Sequence, residues 1–306
     1  MKKLFIALIL LALSPAYGQK WVDLGNAYWR VSPFNKIDGF SEKRTMNMFV
    51  GDAKAPIVLG EKNILIIGIE YQYTSITSKS IFFPDYRFSS SMLQLGLEHK
   101  WNERSKMLFM FVSRFNTDYQ YIGYQSFQWG GLAFGTTSRS ENFDWKYGLY
   151  YNGELFGPMV VPLFGFNWKI NEKWRFKMVI PLNLELSYKP NNWLRTGARF
   201  DGINASYTYQ TLPGDVTTNG YIDKADNNAW AFCEFHLGKN VWFHVKAGHS
   251  ILRKYRYFSD GDKMNLKLGP INIGDNRNSD NPKAVPILFK NGWSFESRII
   301  YRLPID

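Results

Sequence analysis

Along most of this chain apolar and polar residues alternate, the two-residue period of a strand with two unlike faces. In 143–154 one face carries Phe143, Trp145, Tyr147, Leu149, Tyr151 and Gly153. The other carries Asp144, Lys146, Gly148, Tyr150, Asn152 and Glu154. In 93–101 Leu93, Leu95, Leu97, His99 and Trp101 oppose Gln94, Gly96, Glu98 and Lys100. Alternation of this kind runs through 63–75, 91–101, 105–116, 142–154, 241–252 and 292–303. Those segments exceed the length of about 5–6 residues usual in soluble strands and match the about 9–11 that a membrane-crossing strand needs. Helical periodicity is scarce.

The ends of the apolar faces sharpen the picture. Trp101, Phe115, Trp145, Trp168, Trp174, Tyr188, Trp293 and Tyr301 lie near segment ends, with aliphatic residues between them. An amphipathic ring is best placed at lipid headgroup level, so this sorting predicts the aromatic girdles of a membrane barrel. A soluble sandwich with one wet face is the competing fold, and it gives no reason to sort its rings.

Short polar connections at 102–104, 140–142, 171–173, 190–192 and 238–240 alternate with longer ones near 76–90, 117–126, 206–226 and 257–291. Outer-membrane barrels alternate short periplasmic turns with longer external loops. Keeping every short turn periplasmic requires a reversal inside 173–188, and Pro181 is the natural breaker there. The expected fold is therefore all-β: a transmembrane antiparallel up-and-down β-barrel of about 14 strands. Ignoring the reversal gives about 12 and puts some short turns on the wrong side.

Residues 1–18 stand apart. Lys2 and Lys3 precede an apolar run from Leu4 to Leu13, followed by the small-x-small pattern Ala16-Tyr17-Gly18. That is the pattern of a cleaved secretory signal peptide, leaving 19–306 as one barrel domain exported to the outer membrane. Residue 19 is Gln, so no lipid-modified Cys is expected. No other stretch holds enough consecutive apolar residues for a membrane helix.

Composition then removes several chemistries. Aromatic residues make up 17%, and one Cys among 306 residues excludes an internal disulfide framework or a multi-Cys metal site. The formal net charge of +11 comes without a basic run interleaved with stacking aromatics, so no nucleic acid is expected. Attraction to lipopolysaccharide accounts for the charge as well.

The signal peptide, the Gly- and aromatic-rich alternating strands and the motif Trp174…Pro181…Tyr188-Lys189-Pro190 resemble uncharacterised outer-membrane β-barrel proteins of Gram-negative bacteria, families described as domains of unknown function. The resemblance covers most of 45–303 and implies a barrel, an outer-membrane location and insertion by barrel-assembly machinery. It implies no reaction. Many such barrels end on an aromatic residue, whereas this chain ends Tyr301-Arg302-Leu303-Pro304-Ile305-Asp306.

Parity places Glu98, Lys100, Arg114, Lys146, Lys169, Arg175, Lys177, Arg195, Arg199, Glu234, His236, His244, Lys246, Glu296 and Arg298 on the luminal face. Basic residues outnumber acidic ones there. Such charges either pair and fill the lumen or line a watery path that selects ions. The first reading gives a structural barrel without flux. The second gives a channel or small-solute transporter whose expected cargo is a small anion, with lipid and lipopolysaccharide as its surroundings.

A third reading is an interfacial lipid-modifying hydrolase. His249-Ser250 is the sole adjacent His-Ser pair, but neighbours on a strand face opposite ways and cannot hydrogen-bond without a bulge. Glu234, His236 and His244 form too sparse a set for a metal, so no metal or cofactor is expected. Cys233 reads as a small apolar filler, and Gly130-Gly131 as close packing or a bend in the wall. The Asp- and Asn-rich 259–283 lacks the spacing of a calcium loop and reads as a hydrated external loop that can fold inward as a plug.

Overall fold

The computed structural model describes residues 21–36, 43–78, 85–211, 218–275, 277 and 291–304. The expected signal peptide lies outside them. Sixteen strands account for nearly all of the described chain. They are β1 (Trp21–Lys36), β2 (Lys43–Val58), β3 (Asn63–Ser78), β4 (Tyr86–Lys100), β5 (Ser105–Thr117), β6 (Phe127–Ser140), β7 (Phe143–Glu154) and β8 (Gly157–Lys169). After them come β9 (Trp174–Ile180), β10 (Asn183–Tyr188), β11 (Leu194–Thr211), β12 (Thr218–Gly238), β13 (Val241–Ser259), β14 (Met264–Leu268), β15 (Ile271–Asp275) and β16 (Trp293–Pro304).

Strands β1 to β13 pair antiparallel, each with the next, and β13 pairs with β16, which returns to β1. The ring closes on 14 strands, with the reversal at Pro181 between β9 and β10. Strands β14 and β15 form a hairpin outside this count, attached parallel to β8.

The outward face is apolar along its length. Ile69, Leu93, Leu95, Leu97, Phe109, Phe111, Leu149, Phe295 and Ile299 are exposed, with Trp101, Trp129, Trp168, Trp174, Trp293 and Tyr301 toward the ends. A barrel turns a face of this composition to lipid. One end carries the start of β1, the end of β16 and the turns at 59–62, 101–104, 141–142, 170–173, 189–193 and 239–240. We call it the near end.

Three near-end turns share one local device. Asn102, Asn171 and Asn191 each accept, on Oδ1, two backbone N–H groups from residues two and three positions ahead, at 2.9–3.2 Å. These Asx turns reverse the chain with its own side chain. At Gly238 the backbone takes φ +122°, a region open to glycine and strained for other residues.

The far end departs from expectation. The loops placed near 76–90 and 206–226 are mostly strand: β3 runs to Ser78, β4 starts at Tyr86, β11 runs to Thr211 and β12 starts at Thr218. The segment expected as a plain hydrated loop at 257–291 contains the β14–β15 hairpin, docked on the wall. Strand pairing continues well beyond the aromatic girdle, where lipid no longer requires an apolar face. Polar residues therefore disguise those extensions as loop.

Candidate functional site

On the β10–β13, β16 and β1 side the lumen is packed with paired charge. Glu234 accepts from Arg195 Nε and Nη2 (2.9 and 3.0 Å) and from Arg302 Nη1 and Nη2 (2.6 and 2.9 Å), with His244 Nδ1 3.3 Å away. Glu296 accepts from Arg30 Nε and Nη2 (3.0 and 2.7 Å), Lys246 Nζ (3.0 Å) and Arg298 (2.9 Å). Arg195 also donates to Glu185 at 2.6 Å, and Arg199 lies 3.5 Å from it. Each carboxylate is held by more than one cation, which is what makes burial of such groups tolerable. This side of the lumen is filled.

Above this network the upper halves of β11, β12 and β13 leave the wall and cross the barrel interior. The backbone bonds of β11 record the departure. Gly202 N still donates to Leu182 O of the β9–β10 hairpin, at 3.0 Å. Four residues on, Ser206 N donates to Glu154 Oε2 on the inner face of β7 (2.8 Å), and Ser206 O accepts from Asn116 and Gln128 of β5 and β6 (both 2.9 Å). Then Asp118 N donates to Thr208 O, where β11 runs parallel to β5. The opposite face of β11 and β12 packs against β2–β4: Met46, Ile76, Phe88, Tyr207, Ile222 and Tyr255 form one buried cluster. The far end is thereby closed over β2–β6.

On the remaining side the wall itself is incomplete. β9 has 7 residues and β10 has 6, against 13 in β5. At about 3.3 Å per residue and a tilt of about 40°, β9 rises roughly 18 Å, short of an apolar band about 25 Å tall. Its turn is apolar and exposed, with Ile180 at 53% and Leu182 at 36%, unlike the Asn-rich near-end turns. An apolar turn that ends short of the band suits lipid rather than water.

From the far end the β14–β15 hairpin points back toward it. β14 runs parallel to β8 and is fixed there by Met264 N to Phe156 O and Gly269 N to Val160 O, each 2.8 Å. Arg277 clasps its base, donating to Asp223 Oδ2 (2.9 Å) and Asp275 (2.9 and 3.0 Å) with its guanidinium 4.5 Å over the Phe258 ring. Gly157 takes φ +120° beside the hairpin, and a Cβ there would meet Met264 O at 2.3 Å.

Between the two hairpin tips, β8 residues 161–163 have no strand partner on that edge among the described residues. The interval from Val160 to Phe164 corresponds to about 13 Å of strand. Val160 O faces this edge, so Pro162, two positions on, turns its nitrogen the same way, where proline carries no N–H. Pro181 and Pro270 stand at the two tips. Prolines remove donors that lipid would leave unsatisfied. The gap is a slot in the wall.

Behind the slot lies a cavity of about 790 Å³. The inner faces of β4–β9 supply an apolar belt, with Met110, Leu132, Phe134, Met159, Val161 and Leu163. The inward-bent strands supply Asn204, Asp223, Ala225, Asn227 and Lys254, and both hairpin tips contribute Pro181, Leu182, Gly269 and Pro270. Phe166 and Met178, which pair across β8 and β9 on the outward face, also line it, so the cavity reaches the outer surface. Lys146, Lys177, Lys254 and Lys267 line it too, and none makes a salt bridge among the described residues. Lys146 is shared with a second cavity, of about 120 Å³, at the near end beside Glu98, Lys100, Asp144, Asn167 and the turn residues 102–106.

The residues expected on the luminal face thus divide. Arg195, Arg199, Glu234, His244, Lys246, Glu296 and Arg298 join the packed network. Arg114, Lys146 and Lys177 line the large cavity, Arg114 lying 3.5 Å from Glu154, while Glu98 and Lys100 line the near-end one. Lys169 pairs with Glu172 in a near-end turn, and Arg175 sits beside it on β9, paired in register with Ser187. His236 lies at the near-end rim, bonded to Lys239 O and stacked on Trp242, so it does not meet His244 over a metal. The described residues hold no cluster of metal-ligating side chains.

The hydrolase pairing is not assembled. His249 packs edge-on against Trp293 on the outward face, while Ser250 is buried and bonded to Gly292. Among the girdle residues, Trp174 lies against Tyr188, Trp145 against Phe143 and Phe164, and Trp101 against His99. Cys233 faces outward beside Thr196, and a Cβ on Gly130 would meet Asn152 Oδ1 at 2.3 Å, the close packing expected there. Sequence reasoning missed Arg30, Asp223, Lys224, Asp226, Arg253 and Arg277, all buried, because their segments were read as loop or left unassigned.

The fold is similar to that of the COG4313 outer membrane channel from Pseudomonas putida F1: TM-score 0.50 and 10% identity, over 95% of this chain and 99% of that one. The TodX monoaromatic hydrocarbon channel deltaS2 mutant scores 0.43 at 11% identity, over 98% and 94% of the two chains. The translocator domain of autotransporter NalP from Neisseria meningitidis scores 0.40 at 10% identity, over the same shares. Identities this low speak to fold alone. No curated protein sequence matches the chain. Residues 23–264 match the family described as a domain of unknown function (DUF6268), and the chain belongs to that family.

Proposed function

We propose that this protein is an outer-membrane channel for small anionic solutes, exported through a cleaved signal peptide and inserted by the barrel-assembly machinery. The near end then faces the periplasm and the far end the exterior. The observation that carries this reading is the set of four lysines without salt bridges among the described residues along a cavity of about 790 Å³, one of which, Lys146, also lines the near-end cavity. Excess positive charge on a low-dielectric wall favours anions along such a path. That a barrel sharing this fold is described as an outer membrane channel accords with it.

A second reading is a structural barrel without flux, which the filled network around Glu234 and Glu296 favours. Single-channel recording in a planar bilayer separates the two. The channel reading expects discrete openings with anion preference, and Lys146→Glu should reduce or reverse that preference. A folded barrel that never opens would leave the structural reading standing.

A further inference from the structure

The slot in the wall gives the cavity a property that an ordinary ion path does not need: contact with the membrane. Its four borders are the β8 edge at 161–163, the Pro181-Leu182 turn, the β11 edge at Gly202 and Asn204, and the Gly269-Pro270 turn. Each contributes lining residues, and among the described residues none supplies a strand that would close it. Height matters as well. The lower border is the apolar turn that ends within the lipid band, so the opening lies at membrane depth rather than in the external medium. The upper border is apolar on the outside too, since Ile271 and Ile273 of β15 are 59% and 44% exposed.

Inside, the chemistry is divided by level. The belt level with the slot is Met110, Leu132, Phe134, Met159, Val161 and Leu163, side chains suited to a hydrocarbon surface. Below it, toward the near end, stand Lys146 and Lys177. They share the inner wall two strands apart, with β8 between them: Lys146 pairs in register with Gly165, which pairs with Val179, two residues beyond Lys177. Neither lysine lies within salt-bridge distance of a carboxylate among the described residues, although Glu185 faces Lys177 in register and Asp144 stands two residues from Lys146; the same barrel brings Arg195, Arg302, Arg30, Lys246 and Arg253 into contact with acids. The barrel makes contact ion pairs elsewhere, so two lysines without one at the floor of an apolar chamber leave room for an anion brought by a ligand.

We propose that the cavity takes an amphipathic monoanion, whose apolar body lies along the belt and exchanges with the membrane through the slot, and whose charged group seats on Lys146 and Lys177. This names the solute class of the channel and rests on that reading for transport, though not for binding. From the seat, the near-end cavity that shares Lys146 is the exit.

The test uses the full-length mature barrel in phosphatidylcholine nanodiscs, with empty nanodiscs as the blank. Decanoate, decan-1-ol and acetate serve as probes in titration calorimetry. Decanoate should bind, with acetate and decanol each weaker by about tenfold or more, the scale of losing either the charged contact or the buried chain. Lys146→Gln with Lys177→Gln should weaken decanoate by about tenfold or more and leave decanol unchanged. Val161→Trp, which fills the belt without touching a charge, should weaken both long-chain probes.

Equal affinity for acetate and decanoate, no decanoate binding, or binding indifferent to the two lysines would each overturn the proposal. Anion conductance from a barrel that ignores decanoate would keep the channel and discard its amphipathic cargo. Decanoate binding by a barrel that never conducts would keep the site and discard the channel.

Discussion

At the scale of single residues the molecule handles buried charge in two opposite ways. Glu234, 0% exposed, is gripped by two arginines and a histidine, and removing it would leave Arg195 and Arg302 uncompensated inside the wall. Breaking a buried pair in this manner costs about 3–5 kcal/mol. We therefore expect Glu234→Ala to lower the unfolding free energy measured in urea by that amount, while Lys146→Gln and Lys177→Gln, which break no salt bridge among the described residues, change it little. A comparable loss in all three variants would mean that Lys146 and Lys177 are structural. Lys224 lies between these cases. Its ammonium is buried beside three rings, Phe88, Tyr207 and Tyr255, at 5.6–6.0 Å. Cation–π attraction holds it within the closed far end.

At the scale of elements, the sequence was most legible where lipid enforces a rule. Each strand from 63 to 154 shows its parity because one face must be apolar and the other can be polar. Pro181 was legible because only a reversal there keeps Asn171 and Asn191 turns on the same side. Beyond the girdle the rule lapses. Asp223, Lys224 and Asp226 belong to β12 inside the barrel, yet a run with that polarity reads as loop. No local signal could show that β11 turns inward, since the bend is fixed by Glu154, Asn116 and Gln128, far away in the chain. The slot escaped notice for a related reason: a missing partner is a property of two strands together. Its depth can be measured. A charge on a barrel's lipid face costs about 2–4 kcal/mol at the midplane and about 0–1 near the interface. Leu182→Arg should therefore cost about 2–4 kcal/mol in folding titrations in liposomes, while Ile122→Arg, in the exposed connection between β5 and β6, should cost little. Equal, small costs would place the β9–β10 turn outside the lipid and remove the slot from the membrane.

At the scale of the whole molecule, one hairpin decides how open the barrel is. Strands β14 and β15 occupy the upper part of the wall that β9 and β10 leave vacant, and they join β8 to the inward-bent β12 and β13. Their attachment rests on the buried cluster of Phe156, Met159, Tyr221, Phe258 and Met264, and on the Arg277 clasp. Hydrogen bonds from Arg277 hold the Asp275 carboxyl down at about 2, below the ordinary carboxylate range. A carboxylate depressed in the folded state contributes fully above its unfolded value and loses that contribution as pH falls through the folded one. The clasp should thus be intact at neutral pH and weaken from about pH 4 down to about pH 2. Asp223, Arg256 and Lys267 face the same space, and their mutual attraction also favours the closed arrangement while the acids are ionised. Breaking the clasp would free the base of the hairpin and lengthen the slot toward the far end. Conductance in planar bilayers should rise as the external side is acidified through this window, and Arg277→Gln should give the higher conductance already at neutral pH. A conductance independent of acid and of Arg277 would show that the barrier to flow lies elsewhere, in the floor around Lys146 or in the strands that close the far end.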